Sequence, residues 1–411
     1  MRYGVHHPTI GFAWLVLAAF LVTACTGTRE TRTPIAVLVA GNAGSSAVID
    51  VYASGFPPDP ANPADRLEHL PSFRTSLAGS AVTITQPTDE AGSLRHVVHR
   101  SGDRDLVTTF DVASLDLAQP SSLTTLGPAI DVGERVASAG VFSDASILCT
   151  VDAVASGDGR WLGVLHDGSA CRDESSVPAV LLIELTPAVG ATPRVLPLVA
   201  STNDANAAPR IVTSEGRDSL AWLTVGATAA VRSFSLDAPQ SPASTLVSLA
   251  SPFNDAVALE AFEDGLVVAS DAELVYVDLR GEEPTLGSRW SRPTSLPSFT
   301  GLRTVRGLPG TPVLAVTSGG VALYPDVTTN PDEDTIPVGF ASGLVDVFVD
   351  PYGYAFALTS SRAITFDLLG ELAAIDDRLP GSSASLAQDV TVVAGTWTFT
   401  QDTRSDASDS P

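Results

Sequence analysis

Leu266-Val-Val-Ala-Ser270, Asp271-Ala272 and Glu273-Leu-Val-Tyr-Val-Asp278 follow one another without interruption. Two short aliphatic runs with period-two alternation, broken by two polar turn residues, spell a β-hairpin. The unit recurs. Val313–Thr317 with Val321–Tyr324 is a second copy, and Ala355–Leu358 with Ala363–Phe366 a third. Earlier copies are Ala36–Ala40 with Ala47–Tyr52, His96–His99 with Leu106–Phe110, Trp161–His166 with Ala179–Leu185, and Leu220–Val225 with Ala230–Leu236. Helical periodicity is nearly absent, and Asp65–Leu70 reads as one short helical turn inside an insertion that runs from Phe56 to Arg74.

The seven turns centre near residues 43, 103, 171, 227, 272, 319 and 361. Intervals of roughly 40 to 70 residues suit the blades of a β-propeller with loops of unequal length. An acidic-Gly pair precedes three of the hairpins, at Asp158-Gly159, Glu215-Gly216 and Asp264-Gly265. A tight turn between the first two strands of a blade asks for such a pair, because Gly adopts positive φ without steric cost. Ser156-Gly-Asp-Gly-Arg-Trp-Leu-Gly-Val164 resembles the S-x-D-G-R-x-L-x-V turn of WD40-like and YVTN-type bacterial propeller repeats. Val349-Asp-Pro-Tyr-Gly-Tyr-Ala-Phe-Ala-Leu358 resembles the related turn of NHL repeats. The resemblance implies an all-β fold, a β-propeller of seven blades with six or eight as the nearest alternatives, spanning residues 35–400. The Gly-His and Trp-Asp pairs of the WD40 signature are missing. Asp389–Ala394 and Thr396–Phe399 are strand-like after the last hairpin, and are expected to complete the first blade, which lacks a first strand before Ile35.

The ends of the chain read differently. Arg2 with His6 and His7 is a short basic region, Ile10–Val22 an apolar run, and Thr23-Ala24 small residues before Cys25. This is the layout of a signal peptide, too short and wrongly flanked for a membrane-spanning helix. Leu21-Val-Thr-Ala-Cys25 resembles a bacterial lipobox, which implies cleavage after residue 24 and acylation of Cys25. Several acyl chains anchor stably where one would not, since each buried CH₂ contributes about 0.8 kcal/mol. Residues 25–34 are then a flexible tether and 401–411 a disordered acidic tail. Thr26 stands where inner-membrane retention would ask for Asp, so the resemblance favours the outer membrane or cell surface.

All 23 basic residues are Arg, and no Lys occurs anywhere in the chain. That excludes the Walker A lysine, Schiff-base chemistry and a Ser-Lys dyad. After cleavage 22 Arg face 47 Asp and Glu, a formal charge of −25, which repels nucleic acid and suits solubility, cations or basic partners. Cys149 and Cys171 are the two thiols left for the folded part, and an even pair in an exported protein reads as a disulfide. No G-x-S-x-G, H-E-x-x-H or G-x-G-x-x-G occurs. His96 and His99, three apart on a strand, point to opposite faces and read as satisfied or surface histidines rather than ligands. The acidic clusters at 59–65 and 332–334 lack the alternating pattern of a calcium loop and read as solvated turns.

No catalytic, cofactor or metal residue is assigned. The first functional reading is a non-catalytic binding or scaffolding propeller, exported and lipid-anchored at the cell envelope, with a protein or basic partner on its loops. The alternative is an exported metal-dependent hydrolase or lactonase-like enzyme with carboxylates converging on the central channel, for which Glu263, Asp346 and Asp350 are available.

Overall fold

The computed structural model describes residues 35–54, 67–86, 93–113, 115–117, 123–138, 150–166, 179–186, 194–199, 210–214, 217–225, 229–262, 264–281, 283–305, 311–328, 336–339, 343–351, 353–368 and 382–400. All belong to the compact unit 34–411. Seven antiparallel sheets follow one another along the chain. From inner to outer strand, blade 2 is Ser80–Ile84, Leu94–Ser101 and Arg104–Asp111, with Thr124–Thr125 and Ile130–Asp131 on its outer edge. Blade 3 is Thr150–Ala155, Trp161–His166, Ala179–Glu184 and Val195–Val199. Blade 4 is Arg210–Ser214, Arg217–Thr224, Ala230–Ser235 and Ser244–Ser248. Blade 5 is Ala258–Phe262, Gly265–Ala269, Glu273–Asp278 and Thr285–Ser291. Blade 6 is Phe299–Thr304, Val313–Thr317, Gly320–Tyr324 and Ile336–Gly339. Blade 7 is Leu344–Val349, Tyr354–Thr359, Arg362–Asp367 and Ser382–Ser385.

Blade 1 joins the two ends of the chain. Its inner strand is the C-terminal Thr391–Phe399, paired antiparallel with Ile35–Ala43, which in turn pairs with Ser46–Ser54. The seven expected hairpins are the second and third strands of the seven blades, and the strand missing before Ile35 is supplied from the far end of the sequence. The inner strands touch in a closed cycle, blade 7 against the C-terminal strand and that strand against blade 2. The protein is a seven-bladed β-propeller.

Its core is divided among the junctions. Side chains alternate across a strand, so each blade offers one apolar face to each neighbour. Leu38, Ile49 and Val51 meet Val97 and Phe110 of blade 2, whereas Val37, Val39 and Tyr52 of the same strands meet Phe348, Phe356 and Leu358 of blade 7. Five further clusters fill the other five junctions. Two-sided burial is why the middle strands read as nearly unbroken apolar runs such as Ala179-Val-Leu-Leu-Ile183.

Three local expectations need correction. The stretch from Asp65 to Leu70 is not a helical turn among its described residues: Leu67–His69 is a strand on the outer edge of Ser46–Ser54, followed by a 3-10 turn over Pro71–Phe73. The spacing of Leu67 and Leu70 imitates a helix, but pairing with the sheet edge prevails. A short helix does occur at Val132–Ser138, where Asp131 Oδ1 accepts the Glu134 N–H at 2.9 Å and Val132 packs into the junction of blades 2 and 3. Finally, Gly159 has the expected positive φ of 66°, but in the Asp264-Gly265 pair the left-handed residue is Asp264, at 60°. Gly265 is required for space: a Cβ there would collide with the Tyr276 ring.

Candidate functional site

The inner strands surround a cavity of about 310 Å³ at the centre of the ring, and a repeated irregularity shapes its wall. In blade 2, Ala81 faces His99 and Thr83 faces Val98, leaving Val82 as an extra residue. Val151 is extra in blade 3, Thr300 in blade 6, Val345 in blade 7 and Val393 in the C-terminal strand of blade 1, each at a register shift between the two innermost strands. Blades 4 and 5 have no such bulge. A bulge bends its strand and re-aims side chains. Here it turns Val82, Val151, Val345 and Val393 onto the cavity. Val151 and Val345 remain 38% and 41% exposed, unusual for valines on the innermost strands.

Polar groups share the wall. Asp152, Glu260, Asp346 and Arg303 line the cavity together with Thr83, Gln86 and Thr304. Asp346 is the most constrained. Its Oδ1 accepts from Arg303 Nη2 at 2.8 Å and from the Val347 N–H at 2.8 Å, and its Oδ2 accepts the Gly395 N–H at 2.9 Å. One carboxylate therefore ties blades 6, 7 and 1. Arg303 is held further by Nε to Val347 O and Nη1 to Leu302 O. Gly395 allows the close approach, because a Cβ there would strike Phe348 and Leu358. Asp152 occupies the same position after its bulge, and its Oδ1 accepts the following Ala153 N–H at 2.8 Å.

The other channel candidates separate. Asp350 lies at the turn leading out of the inner strand of blade 7, where its Oδ1 accepts the Tyr354 N–H and its backbone closes the turn with Gly353 and Tyr354. Its position is structural. Glu263 lies outside the described residues, as do Cys25, Cys149, Cys171 and the acidic clusters at 59–65 and 332–334. Thr150 and His166, the described residues that come nearest in sequence to Cys149 and Cys171, are cross-strand partners. Among the described residues, no group of three or more His, Cys, Asp or Glu side chains is arranged to hold a metal ion, and no helix is long and apolar enough to cross a membrane.

His96 and His99 are both buried in blade 2 on opposite faces of their strand. His96 Nδ1 meets Thr109 Oγ1, and His99 is held between the Ala78 carbonyl and Thr108 Oγ1. Burial, with Arg95 alongside, pushes the His96 imidazole down to about 4. Burial also lowers His99. The Ser156–Trp161 turn is self-contained: Ser156 Oγ donates to Asp158 Oδ1, which accepts the Arg160 N–H, while the Trp161 N–H donates back to Ser156 Oγ. Arg160 and Arg194 both reach Glu184 and lie 5.3 and 5.0 Å from the Trp161 ring centre. Burial alone would raise the Glu184 carboxyl, but the hydrogen bonds from those two arginines hold it below its ordinary value.

The bulge residues escaped the sequence reading. Their one trace is the pair Val151-Asp152 and Val345-Asp346, the same dipeptide at the same place in two blades.

No protein family model and no curated protein sequence matches the chain. Solved structures do share its fold. A candidate 6-phosphogluconolactonase from Bacteroides fragilis superposes with a TM-score of 0.56 at 12% identity, over 90% of this chain and 99% of its own. The periplasmic gluconolactonase of Pseudomonas aeruginosa gives 0.53 at 12% identity, over 88% and 97%. A second candidate 6-phosphogluconolactonase, from Bacteroides uniformis, gives 0.52 at 12%, over 89% and 100%. At this identity the likeness is one of fold.

Proposed function

We propose that the protein is an exported lipoprotein, anchored through Cys25 to the outer membrane or cell surface, whose propeller is a non-catalytic binding or scaffolding module of the WD40-like and NHL type. The observation that carries the non-catalytic part is Asp346. The channel carboxylate with the most described contacts is committed to Arg303 and two backbone amides, which is how a wall is built rather than how a reactive group is poised. The channel mouth and the loops around it are then a rigid display surface for a protein or basic partner. Nucleic acid is disfavoured by the mature charge.

Gentle detergent extraction of membranes tests this. Wild type should fractionate with membranes and bring down a discrete partner in stoichiometric amount, and Cys25→Ser should leave an unprocessed or released chain. A freely soluble protein with an unmodified N-terminus would overturn the anchor, and a partner-free protein would overturn the scaffold.

A second reading, a lactonase-like hydrolase with or without a divalent metal, is favoured by the shared fold with proteins named as lactonases and by the three carboxylates on the channel wall. Its test is hydrolysis of gluconolactone and its 6-phosphate, with and without added divalent cations. Turnover abolished by Asp152→Asn would support it, and turnover no faster than buffer would remove it.

A further inference from the structure

We infer that the propeller is held on the membrane one way round. The face from which Ile35 emerges is kept on the lipid side, and the channel mouth ringed by the bulge valines opens away from it. This rests on the Cys25 anchor of the proposed function and adds an orientation to it. The two faces differ because the blades repeat one meander, so that every inner strand crosses the ring in the same direction. The turns from inner to second strand, such as Ser156–Trp161 and Asp350–Tyr354, lie where the inner strands end. Both ends of the propeller chain share that face, because Ile35 opens the second strand of blade 1 and pairs with Phe399, the last residue of its inner strand. The turns from second to third strand, such as Gly102-Asp103, Asp271-Ala272 and Ser360-Ser361, lie on the opposite face.

The bulges all sit at that opposite face. Val82, Val151, Thr300, Val345 and Val393 are each the second or third residue of their inner strand, where the strand enters the ring. The exposed Val151 and Val345 therefore belong to one mouth of the channel, and the chain ends belong to the other.

Reach decides the rest. Cys25 and Ile35 are ten residues apart, and a fully extended chain of that length spans at most about 33–36 Å. A relaxed flexible chain of the same length averages only about 18 Å end to end. Passing round the edge of blade 1 means crossing two strand spacings, about 10 Å, from Ile35 to the outer strand. It then means running the length of Ser46–Ser54, nine residues or about 30 Å, before any side chain is cleared. Even a taut tether falls short. A bilayer lying against the valine mouth is thus out of reach of the acyl chains, and a partner in the aqueous space meets that mouth first.

Energy transfer to labelled lipid tests the orientation. The mature protein, purified from membranes, is reconstituted on phosphatidylcholine vesicles, whose zwitterionic surface adds no charge bias, with an acceptor dye on a fraction of the lipid. A donor dye is placed through Ala238→Cys, in the turn from third to outer strand of blade 4, or through Ser360→Cys, in the turn from second to third strand of blade 7. Both positions are exposed, so an unchanged thermal midpoint is expected and checks the fold, and wild type carried through the labelling gives the background from the native cysteines. Transfer from position 238 should exceed that from position 360 severalfold. A Gly-Ser insert of about fifteen residues after Thr33 extends the reach beyond about 80 Å, and should reduce the difference towards equality. Equal transfer with the native tether, or stronger transfer from position 360, would overturn the inference. A preference untouched by the insert would overturn the tether as its cause. Flotation separates this from the reading beneath it: protein that fails to float with the vesicles defeats the Cys25 anchor, whereas protein that floats without a preferred face defeats the orientation alone.

Discussion

Asp346 and Asp152 stand on opposite sides of the channel after the same bulge, and each accepts the N–H of the residue that follows it. Their neighbours set them apart. Asp346 has an arginine on the preceding blade and a glycine N–H on the C-terminal strand, and becomes a three-blade tie at the seam where the ring closes without a covalent link. On the other side, blade 2, which precedes the blade of Asp152, brings Thr83 and Gln86 to the cavity wall. One local device thus sets a carboxylate on the channel wall in both blades, and at Asp346 makes it a tie across three blades. The seam carries further reinforcement on its outer side. Arg74, between the two outer strand pieces of blade 1, grips the buried Asp50 with Nε at 2.6 Å and Asp389 with Nη1 at 2.5 Å, just ahead of the closing strand. Tyr52 accepts the Ala387 N–H and stacks on His69.

The largest break in this comparison comes from ending the chain at residue 388. That removes the inner strand of blade 1, exposes a strand edge and opens one junction core on each side. The expected result is loss of a cooperative thermal transition and aggregation. An unchanged midpoint would contradict closure by the C-terminal strand.

Two effects of about 3 kcal/mol follow. If Cys149 and Cys171 are joined, closing a loop of about 20 residues stabilises by roughly 3 kcal/mol in the chain-entropy model. Intact mass with and without reductant should differ by two hydrogens, and alkylation of the unfolded, unreduced chain should find no free thiol in the folded part. The second effect is acid sensitivity from His96. Its imidazole stays neutral in the fold down to about pH 4, but takes a proton near 6.5 once unfolded. Stability fully present above pH 6.5 is therefore lost as pH falls towards 4, by about 3 kcal/mol. Urea unfolding at pH 7 and 4.5 should show this slope in wild type and a shallower one in His96→Gln.

A smaller change is expected at the seam itself. Arg74→Ala strips the partner from a buried carboxylate and should cost about 2 kcal/mol, less than a fully buried pair because Arg74 is partly exposed. A chemical denaturation midpoint within error of wild type would show that the outer grip is decorative.

The legibility of the molecule follows the same division. Hairpins are local, and a two-sided apolar blade gives them a strong period-two signal, so all seven middle strand pairs could be read, as could the missing first strand before Ile35. The bulges could not. One extra residue in an inner strand leaves the runs around it intact, and Thr150-Val-Asp-Ala-Val154 looks like any other strand. The tie from Arg303 to Asp346 joins residues 43 apart and depends on how neighbouring blades meet. Leu67–His69 was masked by its helix-like leucine spacing, and the helix at Val132–Ser138 had a signal in Asp131 with Glu134 three residues on, a capping pattern too short to stand out.

Side-by-side urea unfolding of Asp346→Asn and Asp152→Asn tests most directly whether the two carboxylates have divided roles. In Asp346→Asn an amide N–H₂ must face the Gly395 N–H or give up Arg303, and a loss of about 2 to 3 kcal/mol is predicted. In Asp152→Asn the side-chain oxygen still accepts the Ala153 N–H, and a smaller loss than at Asp346 is predicted. Equal losses in the two variants, or a larger loss at Asp152, would contradict it.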